Sequence, residues 1–62
     1  MWYAVILHNL STGKETVATY NLEHNMIYLE QVRDMYISSR LKDLCYIRAL
    51  SKEECTYYAL NK

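Results

Sequence analysis

The sequence contains no proline and no phenylalanine, a single glycine (Gly13), two cysteines and no net charge, seven basic residues balancing seven acidic ones. Each scarcity narrows the reading. With no proline and one glycine, a flexible linker or a loop-rich fold is unsupported, and nearly every residue is open to regular structure. Two cysteines are too few for the disulfide framework of a small secreted domain. Zero net charge lacks the basic footprint that nucleic-acid binders carry, and equally the acidic surface of a DNA mimic. The opening apolar run, MWYAVIL, is broken by His8 and Asn9. It falls far short of the ~20 residues a membrane span needs, and no basic region precedes it as in a secretory signal. A reducing, cytoplasmic setting is therefore expected.

What the chain does have is tyrosine: seven Tyr and one Trp among 62 residues, 52% of which are apolar. Residues 1–62 read as a single small domain. At this length folding removes only about 60% of the unfolded chain's surface from water. Such cores rarely supply more than roughly 3–5 kcal/mol, so small domains tend to recruit a disulfide, a metal or a second subunit. Tyr joins a large apolar body to a hydroxyl that wants a partner, which suits strand rims and interfaces alike.

The pattern predicts an α+β fold in the order β-β-α-β-α. Trp2 to Leu10 and Glu15 to Tyr20 form a hairpin around STGK, with Gly13 in the left-handed position. Two turns fit, a bulged type I turn and a four-residue loop; the bulged form is preferred and sets Val17 beside Leu7. Asn21 is the expected N-cap of a long helix with Tyr28, Leu29, Val32, Met35 and Tyr36 as its apolar stripe and Arg40 and Lys42 near its end. Ile37 and Leu41 form a small apolar spot there. Leu44 to Leu50 is the third strand. Ser51 and Glu54 have the spacing of a capping box, which favours a second helix from Lys52 to about Leu60 over a fourth strand through CTYYAL.

The first strand is apolar on both faces, so it belongs in the centre of a three-stranded antiparallel sheet of order 2-1-3. The long helix covers one face. A last helix of nine residues, about 13 Å long, is too short to hide the other. Of three solutions (the terminal helix as cover, the two helices side by side, or an open face meeting another molecule), association is preferred, because large exposed apolar patches are rare on monomers.

Four residues invite metal binding: His8, His24, Cys45 and Cys55. No Cys-x₂₋₄-Cys or His-x₃₋₅-His spacing exists among them, and Cys45 on a strand reads as a small core residue. Cys55 would sit in the first turn of the last helix, but Glu53 and Glu54 flank it and oppose a thiolate. There is no glycine-rich phosphate loop. No enzymatic activity, metal or cofactor is expected. A sheet showing Tyr3, Tyr20 and Tyr46 beside Arg48 would suit stacked bases, which keeps a nucleic-acid-binding or regulatory protein as the alternative. Residues 33–52 hold five basic side chains against two acidic ones, a local excess that either steers an acidic partner or solvates a helix end.

The preferred reading is a non-enzymatic protein-binding module that also self-associates, through an open sheet face or by edge pairing of the second or third strand. Its candidate contact residues are Trp2, Tyr3, Tyr46, Tyr57 and Tyr58, drawn from the aromatic-rich chain ends and the third strand. In size and character the chain is similar to the small accessory proteins of phages and mobile elements. That resemblance implies a stoichiometric inhibitor or modulator of a larger protein.

Overall fold

A computed structural model describes residues 1–39 and 43–60 of the chain. The elements run β1 (Trp2–Asn9), β2 (Glu15–Leu22), a 3₁₀ turn (Glu23–Asn25), α1 (Met26–Ser39), β3 (Asp43–Ala49) and α2 (Lys52–Tyr57). The strands form one antiparallel sheet of order β2-β1-β3. The α+β fold and the strand order are as the residue pattern predicts.

β1 takes the centre because both its faces are apolar. Ala4, Val5 and Ile6 have no solvent exposure and Leu7 retains 7%. On one face Val5, Leu7, Cys45 and Leu29 form a core, with Met26, Val32, Tyr36, Ile47, Ala18 and Tyr3 around them. On the other, Ala4, Ile6, Leu50 and Cys55 are joined by Trp2, Val17, Tyr20, Tyr46, Tyr58 and Leu60. Full burial of each Val, Ile or Leu contributes about 1.5–3 kcal/mol, so β1 carries much of the stability.

Several boundaries differ from expectation, each for a local reason. The turn is a four-residue loop, Leu10 to Gly13. The Asn9 N–H donates to the Lys14 carbonyl and the Gly13 N–H to the Asn9 carbonyl, at 2.9 and 2.8 Å. The Asn9 side chain accepts from the N–H groups of Ser11 and Thr12, which fixes the loop. Gly13 has φ +75°, as expected of the glycine. Val17 consequently pairs with Ile6 rather than sitting beside Leu7. The irregularity lies further along, where a bulge at Ala18 shifts the register between Val5 and Ile6. It brings Tyr20 opposite Ala4.

Asn21 does not cap the helix, because it still pairs with Tyr3 in the ladder. Its Oδ1 accepts from the Leu22 N–H and from Asn25 Nδ2, and the 3₁₀ turn leads the chain into α1. The inward stripe of α1 is Met26, Leu29, Val32 and Tyr36; Tyr28 and Met35 stand exposed. The expectations for Arg40, Lys42 and the Ile37–Leu41 pair involve residues outside the described ones. α2 opens with the full capping box: Ser51 Oγ accepts from the Glu54 N–H, and the Glu54 carboxylate accepts from the Ser51 N–H. It ends at Tyr57 rather than near Leu60. The Ala59 N–H donates to the Thr56 carbonyl and the Leu60 N–H to the Cys55 carbonyl. These are the two bonds of a Schellman close. They require the left-handed φ of 58° that Ala59 adopts.

The question of what shelters the second face of β1 thus has an answer other than the preferred one. Ala4 and Ile6 are buried by the chain itself, although α2 has only six residues. Tyr58 and Leu60, folded back by the Schellman close, extend its cover. A polar strap spans the remainder.

Candidate partner-binding surface

That strap crosses β1 over Ile6. Tyr46 on β3 faces Ile6 in the ladder, and Glu15 on β2 faces His8. The Tyr46 hydroxyl donates a hydrogen bond to Glu15 Oε1, so the two side chains bridge the central strand. Arg48 supports the bridge, its Nη2 lying 3.7 Å from Glu15 Oε2. The same guanidinium forks onto Glu54, with Nη1 2.7 Å from Oε1 and Nη2 2.9 Å from Oε2. Glu54 therefore ties the sheet to α2 while it closes the capping box. His8 Nδ1 stands 4.0 Å from Glu15 at the open end of the row.

The electrostatics follow this geometry. Hydrogen bonds from Arg48 and from the Ser51 N–H hold the Glu54 carboxyl down at about 2. The bond to Glu54 raises Arg48 further above its already high value. The bond to Glu15, then burial, push the Tyr46 phenol up. Burial pushes the Cys45 thiol up as well, against the opposing charge of Arg33. A raised thiol is a poor nucleophile at neutral pH. Cys45 and Cys55 are both free and lie in the cores of opposite faces. Among the described residues no cavity opens, and no three His, Cys, Asp or Glu side chains gather as a metal would require.

Of the five residues singled out in the sequence, three come together. Trp2 meets Tyr20 edge-on, with ring centres 5.9 Å apart and planes at 72°. Tyr20 meets Tyr58 at 4.9 Å, tilted by 35°, and Tyr58 meets Tyr57 at 5.0 Å and 87°. The four rings form a continuous strip from the start of β1 across β2 to the end of α2. Trp2, Tyr20 and Tyr58 are half-buried in the core beneath, whereas Tyr57 is 82% exposed. Tyr46 lies on the same face but belongs to the polar strap. Tyr3 lies on the opposite face, against the α1 core.

Tyr20 is the member that the aromatic-rich chain ends do not reveal. Its place depends on the bulge at Ala18, which no residue type in ETVATY announces. The same geometry separates the residues that would stack bases. Tyr3 faces away from Tyr20 and Tyr46, and Arg48 is engaged by two carboxylates. No helix among the described residues is long and apolar enough to cross a membrane. The chain matches no family model, no curated protein and no solved structure.

Proposed function

We propose that this chain is a non-enzymatic protein-binding module whose contact surface is the strip Trp2–Tyr20–Tyr58–Tyr57. The observation that carries the reading is Tyr57: a large aromatic side chain, 82% exposed, held edge-on against a ring that is itself anchored in the core. Aromatic anchors on a rigid base lose little conformational freedom on binding and dominate interface energetics. Two buried free thiols accord with a reducing, cytoplasmic setting. The mode of action is occupancy of a site on a larger protein, the mode suggested by the resemblance to phage and mobile-element accessory proteins. The sheet-based nucleic-acid reading has less behind it, because its tyrosines divide between the two faces.

A photo-reactive phenylalanine analogue tests this surface when placed at Tyr57 and, in a second variant, at Ile27, which is 73% exposed on α1. In cells of the source, position 57 is expected to yield one discrete protein adduct that position 27 does not. In an affinity-tagged chain without the photo-probe, Tyr57→Ala should abolish co-purification of that same protein while the free chain stays folded by circular dichroism. Identical adducts at both positions, or none at 57, would overturn the proposal.

A further inference from the structure

The two edges of the sheet are not equivalent. The Asn9 N–H bonds to Lys14 on β2 and the Leu50 N–H to Trp2. By the alternation of antiparallel ladders, odd-numbered residues of β1 bond β2 and even-numbered ones bond β3. Arg48 and Tyr46 therefore turn their backbone groups inward to Ala4 and Ile6. Cys45, Ile47 and Ala49 turn theirs to the open edge. β3 holds one register with β1 from Asp43 to Ala49, with no bulge. The β2 edge is blunted instead. Its spacing breaks at Ala18, and the Leu22 N–H, which faces outward, is taken by Asn21 Oδ1 at 2.8 Å. Bulges and blocked backbone groups blunt a free edge; β3 has no bulge, and among the described residues only the Ala49 carbonyl at its end is engaged, by Arg48 Nη1 at 3.3 Å.

We propose that β3 is the seam of a homodimer in which a second copy adds its own β3 antiparallel, making the two sheets continuous. Full overlap of the strands centres the two-fold axis on Tyr46. Tyr46 then faces Tyr46 of the second copy, Cys45 faces Ile47, and Leu44 faces Arg48. The pairing is self-complementary. Arg48 is set against an aliphatic side chain rather than another Arg, and each cross-strand pair occurs twice by symmetry. Leu44, 52% exposed, gains the stem of Arg48 as cover. The aromatic strip lies towards β2, so the seam leaves it free, and the two proposals stand independently.

Light scattering and sedimentation across a dilution series test the seam, with amide hydrogen exchange as a site-resolved readout. The wild type should be a dimer that dissociates on dilution, and the Ile47 and Ala49 amides should lose protection as it does. Leu44→Lys sets like charges across the seam at two symmetric points and should weaken the dimer about tenfold or more. Ala49→Pro removes an outward N–H without touching the bonds to β1, and should weaken it as well. Leu10→Lys, an equal change in the hairpin loop, should leave it intact. Circular dichroism confirms that each variant is folded. A wild type that stays monomeric at the highest concentration reached would overturn the proposal. So would a dimer indifferent to both β3 variants, or one in which Ile47 and Ala49 exchange equally fast at all concentrations.

Discussion

The two faces of the sheet are sheltered by different means. One lies under fourteen residues of α1, whose Leu29 is wholly buried against Val5, Leu7 and Cys45. The other lies under a six-residue helix, a folded-back tail and a row of charged and hydroxyl groups. Ile6 is nonetheless as fully buried as Leu29. A small chain short of apolar cover can thus close a core with polar side chains, provided that they bond to one another across the strand instead of reaching for water. The difference should appear as sensitivity to solvent conditions: packing governs the α1 face, whereas ionisation and salt bear on the other.

The comparison can be broken most forcefully at Leu29. Leu29→Ala should destabilise the chain by about 2–5 kcal/mol in urea unfolding, with a loss that changes little with pH or salt. Glu54→Ala comes next, at about 2 kcal/mol, since it removes the carboxylate half of the capping box and a forked ion pair together, while the Ser51 Oγ cap on the Glu54 N–H stays. Its conservative counterpart, Glu54→Gln, isolates the charge. Glu54 titrates at about 2 in the folded chain, below its ordinary 4.5. Its contribution is therefore complete above pH 4.5 and is lost as the pH falls towards 2. Glu54→Gln should flatten that part of the stability–pH curve, while Leu29→Ala leaves its slope in place. Ala59→Gly should stabilise the chain by about 0.5–1 kcal/mol, because glycine adopts the left-handed close of α2 without steric penalty. Glu15→Gln, at the half-exposed end of the strap, should have the smallest effect, about 0.5 kcal/mol, and the wild type's advantage over it should shrink in high salt.

Those residues also mark how far the fold could be read beforehand. The central place of β1 was legible because an apolar strand on both faces has nowhere else to go. The start of α2 was legible because Ser51 and Glu54 carry their bonds within four residues. The long helix was legible in period but not in phase: Tyr28 and Met35 fit the spacing equally well until the 3₁₀ turn fixed where Leu29 points. The bulge at Ala18 was hidden, since it reflects a turn closed by the Asn9 side chain several residues earlier. The strap was hidden for a related reason. Glu15, Tyr46, Arg48 and Glu54 come from three elements, and only the register makes them neighbours. The candidate surface inherits this limit. Trp2, Tyr57 and Tyr58 were visible as aromatic chain ends, but Tyr20, which joins them, needed the bulge.

Trp2 is the only indole in the chain, and its ring touches Tyr20, which touches Tyr58 in the tail. The molecule therefore contains its own optical gauge. Tyr20 is within direct transfer range of the indole, and Tyr58 and Leu60 pack on the same core as Trp2, so lifting the tail should expose that core and redden the emission. Fluorescence of the unlabelled chain can thus follow that movement in real time.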